Sequence, residues 1–322
     1  MKAIRIFGKV LLYITVAVCL FVLLLQVGVT VWYFDYFSHS QSEFLIPGLQ
    51  DNWVPQGFDY IEEKNTYLMC GYMSDGTASR VYVRDGEGQE FCVNLQYADG
   101  TPYVKHAGGI CHNGQYAYVA GDDGVDVFRL ADILAGRDAK KLGKITLGHD
   151  MAFCSFYNGY LLAGNFYHPE TYETPAHHRI ITPAGDYNTS LITIFKADDE
   201  AEFGIDPVPV AAISAPEMVQ GICFTSDSEI VLSTSYSVSS SHLYYHRIDT
   251  QNVGQVSACG TTVPLIYLDR STLKDMVTFP PMSEELVYRD GRVMILCESA
   301  CMKYLYGKIS RGSLVYSYAP ED

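Results

Sequence analysis

From Val10 to Trp32 the chain has no charged residue, and Leu, Val and Ile dominate. Beyond that run the rhythm changes. Short apolar stretches alternate with polar turns to the C-terminus, in the period-2 pattern of half-buried strands rather than the 3.6 period of helices. Twenty-three residues at the helical rise span about 34 Å, enough to cross a hydrocarbon core of about 30 Å. Lys2, Arg5 and Lys9 precede the run, which places the N-terminus in the cytoplasm. Trp32, Tyr33, Phe34, Tyr36 and Phe37 follow it as an interfacial aromatic belt would. A cleaved signal peptide has a shorter apolar region and a small-x-small site, whereas this run ends Val31, Trp32, Tyr33, Phe34, Asp35. The expected organisation is a cytoplasmic segment 1–9, a signal anchor 10–34, a tether 35–42 and an extracytoplasmic domain 43–322.

In that domain one pattern returns five times. Val54–Ile61 leads to Thr66–Tyr72 and Arg80–Val83, and His106–Cys111 leads to Gln115–Gly121 and Val125–Phe128. His149–Cys154 leads to Gly159–Asn165 and Leu191–Phe195, and Met218–Cys223 to Glu229–Ser235 and His242–Tyr245. Met282–Tyr288 leads to Gly291–Cys297 and Lys303–Tyr306. Turns such as His112-Asn-Gly and Tyr157-Asn-Gly between the first two apolar runs are strong hairpin signals. Fourth strands are expected at Phe91–Leu95, Lys144–Leu147, Val208–Ile213 and Val263–Leu268, and a strand near Ser42–Ile46 would complete the last unit. A helix is expected only as a short connector at Leu130–Ala135. The insert His168–Thr189 breaks the rhythm, and loops of that length are usually functional or mobile.

Four antiparallel strands recurring at roughly 40–70 residues are the signature of a propeller blade. Residues 43–320 thus resemble the broad β-propeller class that includes NHL-type, quinoprotein-like and Kelch-like domains, and are similar to membrane-anchored or secreted bacterial propellers. No Gly-His…Trp-Asp signature is present, since Trp occurs only at 32 and 53. The expected fold is all-β, a five-bladed propeller of four-stranded antiparallel blades after one transmembrane helix. A two-sheet sandwich is the rival architecture.

Charge narrows the partners. The whole chain carries −15, and removing the three basic residues before the apolar run leaves 19 basic against 37 acidic residues. Such a domain is expected to repel nucleic acid and anionic membrane surfaces. A glycan, a peptide or another protein remains, as does a divalent metal, the one cofactor the residues allow. Five first-strand entrances and second-to-third-strand loops would share one face of a propeller. That face collects the expected ligand contacts Gln56, His106, His149, Asp150, Gln220 and Glu284, with Ser283 beside them. From the loops come Ser74, Asp75, Asp122, Asp123, Asn165, His168, Ser235, Tyr236 and Glu298.

His106 and His149 occupy one register in adjacent units and, with Asp150 or Glu284, would suit a metal. The same imidazoles equally suit hydrogen bonds that pin one unit to the next. Asp150 and Glu284 would be the acid and base of a glycan-active hydrolase or lyase, which needs two carboxyls about 5–9.5 Å apart. They equally suit solvated or structural roles. Nucleotide, hydride and acyl-transfer motifs are absent. Asp122–Asp126 reads as a turn, since an EF-hand would need a later Glu. Asn188-Thr-Ser190 is a formal glycosylation acceptor. Eight cysteines lie outside the apolar run, with Cys297–Cys301 and Cys70–Cys92 as pairings within reach and Cys111, Cys154 and Cys223 as buried strand residues.

Overall fold

The computed structural model describes residues 2–320. A helix covers Lys2–Trp32, and its part Ile6–Trp32, of mean hydropathy 2.8, is long and apolar enough to cross a membrane. A helical turn, Phe34–Ser38, follows, so the stretch 35–42 carries structure of its own. After it come mostly strands, with one short helix, Leu130–Leu134, at the expected connector, and a few 3-10 turns.

The strands fall into hairpin-linked units. The first holds Trp53–Ile61, Thr66–Met73, Arg80–Asp85 and Glu90–Gln96. The second holds Gly109–His112, Tyr116–Gly121, Gly124–Arg129 and Ala139–Thr146. Their outermost strands touch in parallel at Leu95–Ala139 and Gln96–Lys140, which joins the two units into one eight-stranded sheet. The third unit is Phe153–Tyr157, Tyr160–Gly164, Ser190–Ala197 and Ile205–Ala215. The fourth is Val219–Ser226, Glu229–Thr234, Ser241–Arg247 and Leu273–Phe279. The last unit pairs Ser283–Arg289, Arg292–Cys297 and Leu314–Tyr318 with the N-terminal strand Ser40–Leu45. That final pairing uses the start of the folded domain to cover an edge at its end.

The innermost strands touch one another in chain order, and Ser283–Arg289 returns to Trp53–Ile61. Apolar cores lie between successive units. Phe44, Trp53, Phe58 and Met294 join the last unit to the first, Cys70, Val81, Ile110 and Val119 the first to the second, and Cys111, Tyr118, Cys154 and Leu161 the second to the third. Ile192, Ile213, Ile222 and Leu232 join the third to the fourth, and Val231, Leu243, Leu286 and Ile295 the fourth to the last. Radial sheets with cores between them, closed into a ring, make a β-propeller; two stacked sheets would share one core.

Several expectations need correction. Val263–Leu268 is not the fourth strand of its unit. Thr261–Tyr267 forms a hairpin with Val253–Ala258 and adds in parallel to the third unit through Ala212–Leu265. The true outer strand is Leu273–Phe279, whose exposed Lys274, Asp275 and Met276 hide its strand character in the sequence. Lys303–Tyr306 is not a strand either. It lies in the 3-10 segment Met302–Lys308, and Leu314–Tyr318 takes its place.

All nine cysteines are free. Cys70 lies in register with Val81, and Val81 with Val93, so Cys92 points to the opposite face. Cys297 and Cys301 lie in different cores, one with Tyr36 and one with Trp53. Cys111, Cys154 and Cys223 are buried as expected. The insert 168–189 holds an antiparallel bridge between His168 and Tyr172, a 3-10 turn, Ala176–His178, and a two-residue ladder between Ile180–Ile181 and Tyr187–Asn188. Asn188 is buried, and its amide donates to Ser214 Oγ (3.0 Å) and the Leu268 carbonyl (2.9 Å), so it is closed to glycosylation in the folded chain.

Candidate functional site at the mouth of the ring

One buried carboxyl stands where the innermost strands crowd together. Gly57, Gly109 and Gly221 lie where innermost strands crowd together, and a Cβ on any of them would meet backbone of a neighbouring strand within about 2.5–2.7 Å. At the corresponding place in the last unit stands Glu285, 1% exposed. Its Oε2 accepts the backbone N–H of Phe58 (2.7 Å) and of Ile110 (2.9 Å), and its Oε1 accepts that of Cys154 (3.0 Å). One carboxyl thus ties three units to a fourth. Burial pushes its pKa well up, and the three N–H donors draw it partly back.

One residue earlier the chemistry differs. The strand pairings slip between Pro55 and Gly57, between Val219 and Gly221, and between Ser283 and Leu286. Gln56, Gln220 and Glu284 are therefore bulge residues, and bulges re-aim side chains beside sites. Ala107 (φ 51°), Met218 (φ 60°) and Met282 (φ 68°) enter their innermost strands in the left-handed region, a strain typical of functional segments. Glu284 is 1% exposed, yet among the described residues its carboxyl makes no hydrogen bond. Burial drives its pKa well above the usual carboxylate range, and the charges of Glu298 and then Glu285 add to the rise. Gln220 likewise has no side-chain hydrogen bond among the described residues, whereas Gln56 Nε2 donates to Glu298 Oε2 (2.9 Å) and to the Pro55 carbonyl (2.8 Å).

Around this floor stands a polar wall. Burial lifts Glu298 to about 7, against the pull of Gln56 and Lys303. Lys303 Nζ donates to Tyr72 Oη (2.7 Å) and lies 4.9 Å from the centre of the Tyr304 ring. Tyr72 stacks on His106 at 5.0 Å. His106 is exposed, and the protein packed around part of its ring, with the Lys303 charge, keeps its imidazole below the usual value. Glu284, Glu298, Gln56, Lys303, Tyr72 and His106 thus form one linked set.

His149 and Asp150 lie with a second set. The His149 ring meets His178 edge-on at 4.6 Å, and its buried Nε2 has no hydrogen-bond partner among the described residues. Asn165 accepts the Leu191 N–H (2.8 Å) and donates from Nδ2 to His178 Nδ1 (2.9 Å). Burial and the neighbouring His149 and His177 push His178 down to about 3. Asp150 Oδ1 accepts the Asp123 N–H (3.0 Å). His168 stacks on Tyr236 at 3.7 Å. Ser74 Oγ donates to the Asn52 carbonyl, Asp75 accepts from Thr77, Asp122 pairs with Lys105, and Ser235 Oγ accepts the Met282 N–H, so these side chains are occupied within the rim. Ser283 Oγ is engaged with Ser233 Oγ at 2.6 Å. Among the described residues no group of three or more His, Cys, Asp or Glu side chains is placed to hold a metal ion.

Glu285, Lys303 and Tyr72 were not among the expected contacts. The signal for Glu285 was present, since an acid stands where three sister units carry Gly. Lys303 was hidden because its segment reads as a strand.

No protein-family model and no curated protein sequence matches the chain. Among solved structures it is similar to a glutaminyl cyclase from Myxococcus xanthus, at 11% identity and TM-score 0.43, over 80% of this chain and 90% of that one. It is also similar to a protein described as a glucose dehydrogenase-type oxidoreductase from Thermus thermophilus, at 12% identity and TM-score 0.45, over 86% and 99%. An α-L-arabinofuranosidase from Lactobacillus brevis follows at 11% and 0.43, over 78% and 84%. These likenesses are too distant to bear on activity.

Proposed function

We propose that this chain is a membrane-tethered, extracytoplasmic five-bladed propeller that binds a polar ligand, a glycan or a peptide, in the concave mouth of its ring. Its N-terminus is cytoplasmic, and residues 10–34 are an uncleaved anchor. The ligand contacts are Gln56, His106, Gln220 and Glu284, joined by Tyr72, Glu298 and Lys303, with His149 and Asp150 on the opposite rim. The observation that carries this reading is Glu284, buried to 1% exposure and without a hydrogen bond among the described residues. Its carboxyl oxygens are not sealed from solvent, so they have room to take a ligand hydroxyl or amine as a donor.

A glycan-active hydrolase or lyase is the second reading. It draws support from the raised pKa values of Glu284 and Glu298, since a carboxyl held protonated near neutrality can act as a general acid. Under it Glu284 is the acid, and Glu298 or Asp150 the base.

The test is a glycan and peptide screen on the full chain, followed by a product assay on any captured ligand. Binding that falls about tenfold or more in Glu284→Gln, the worth of one lost hydrogen bond, supports the site. If no glycan or peptide is retained, the binder reading fails. Turnover that Glu284→Gln leaves unchanged would sink the hydrolase reading.

A further inference from the structure

We propose that one edge of the mouth, the loop 298–312 with its neighbour at Val238, lies against the outer surface of the bilayer, while the rest of the mouth stays open to the ligand. The proposal rests on the anchor reading above and adds an orientation to it. The end of the N-terminal helix is fastened to the propeller. Leu25, Gln26, Val29, Thr30 and Tyr33 form a partly shielded stripe at helical spacing. Gln26 Nε2 donates to the Lys308 carbonyl (3.2 Å), and Tyr33 Oη bonds Ser240 Oγ (2.8 Å). Just beyond, Tyr36 is buried, stacked on Phe279 (5.1 Å) and Tyr318 (5.8 Å), and Arg311 covers Phe37 at 5.4 Å. Lys308 and Ser240 both belong to connections between second and third strands, the connections that surround the mouth. The helix therefore leaves the propeller on that side.

The depth follows from the helical rise. Gln26 lies six residues before Trp32, or about 9 Å along the axis, so the loop holding Lys308 reaches about 9 Å down the apolar span. That matches the depth of about 5–10 Å to which interfacial segments sink. The loop has the composition such a position needs. Met302 is 41%, Leu305 49% and Tyr306 46% exposed, and in the neighbouring loop Val238 is 64% exposed. Between 298 and 312 three basic residues, Lys303, Lys308 and Arg311, stand against one acidic residue, Glu298, in a domain where acids outnumber bases almost two to one. Apolar tips flanked by tyrosines suit the membrane–water interface.

The test uses the full chain in nanodiscs of phosphatidylcholine with and without brominated acyl chains, read by tryptophan emission. The parent has only Trp32 and Trp53, and Trp53 is buried, so quenching of the parent reports Trp32 and hence the anchor. Leu305→Trp adds a probe on the loop. Tyr160→Trp adds one at the turn between a first and a second strand, on the far side of the ring. The expected result is quenching of the added emission in Leu305→Trp at least about twofold greater than in Tyr160→Trp, with a blue shift. If the parent is quenched and the Leu305→Trp emission is as insensitive as that of Tyr160→Trp, the orientation is wrong while the anchor stands, and the apolar tips are left for a protein partner. If the parent is not quenched, the anchor reading falls and the orientation with it.

Discussion

Three backbone N–H groups from three units converge on the single carboxyl of Glu285, so that carboxyl should help to hold the ring closed. Replacing Glu285 by Ala removes their acceptor. Each buried donor left unpaired costs about 1–3 kcal/mol, so the loss should be about 3–9 kcal/mol, of the order of a domain's whole stability. Glu285→Gln keeps the shape. Its remaining carbonyl oxygen can serve the Phe58 and Ile110 N–H groups while the amide nitrogen faces Cys154, so one donor is lost, for about 1–3 kcal/mol. The order of stability should be wild type, then Glu285→Gln, then Glu285→Ala. Urea unfolding of the full chain in detergent, followed by the emission of Trp53, which is fully buried on an innermost strand, measures it. Hydrogen exchange adds a local reading, since protection should fall first at the amides of Phe58, Ile110 and Cys154. If Glu285→Ala unfolds within about 1 kcal/mol of wild type and those amides keep their protection, the carboxyl does not tie the ring and the reasoning is refuted.

Three further outcomes follow from other parts of the molecule. Glu298 moves from 4.5 to about 7 on folding, so the folded state holds its proton more tightly; stability intact below pH 4.5 is lost as pH rises to about 7, at a cost of at most about 3 kcal/mol. Glu298→Gln should therefore lessen the fall in unfolding free energy between pH 5 and pH 8, and an unchanged slope would show that the carboxyl is not perturbed. His112 Nδ1 lies 2.5 Å from Asp59 Oδ2, and although burial opposes charge, Asp59 raises the imidazole above 6.5. The stability it contributes is complete below pH 6.5 and disappears as pH climbs through the folded value, so His112→Asn should remove a pH-dependent component that titration of the His112 ring by NMR can locate. Tyr36→Ala removes a buried ring stacked on Phe279 and Tyr318, and should cost about 3–5 kcal/mol and free the helix end, read as protease sensitivity near residue 36.

The apolar run and the strand rhythm were legible because each is a repeated local pattern. The N-terminal strand could be placed in the last unit because closing a ring demands an extra strand. Legibility failed where polar and apolar positions stopped reporting burial. Leu273–Phe279 is an outer strand with a wet face, and its Lys274 and Asp275 conceal it. Lys303–Tyr306 alternates like a strand, but the following Gly307 packs against Ser299, where a Cβ would lie 1.7 Å from the backbone oxygen, so the loop coils. Gln56, Gln220 and Glu284 could be named as mouth residues because the repeat puts them in one register. Their linkage to Lys303 and Tyr72, and the separate set around His149, depend on side-chain directions that the pattern does not carry.

Glu284 and Glu285 are neighbours in one bulge, and the difference between them separates folding from function. Glu285 accepts three N–H groups, whereas Glu284 accepts none among the described residues and faces the like charge of Glu298. A side chain of similar length without the carboxyl should therefore suit the folded state better at position 284. Glu284→Met removes an unpaired buried acid and keeps the volume, and should raise unfolding free energy by about 1–3 kcal/mol. The gain should grow from pH 5 to pH 8, because a carboxyl whose folded pKa is raised destabilises increasingly as pH rises above its unfolded value. The same change at 285 should destabilise at every pH, since the three N–H groups lose their acceptor. A residue whose replacement strengthens the fold is one kept for another purpose, as binding and catalytic side chains commonly are. Urea unfolding of Glu284→Met and Glu285→Met at pH 5 and pH 8 puts the contrast to measurement. Destabilisation by Glu284→Met of the same size as by Glu285→Met would mean that the carboxyl has a structural partner, and the site would lose its central residue.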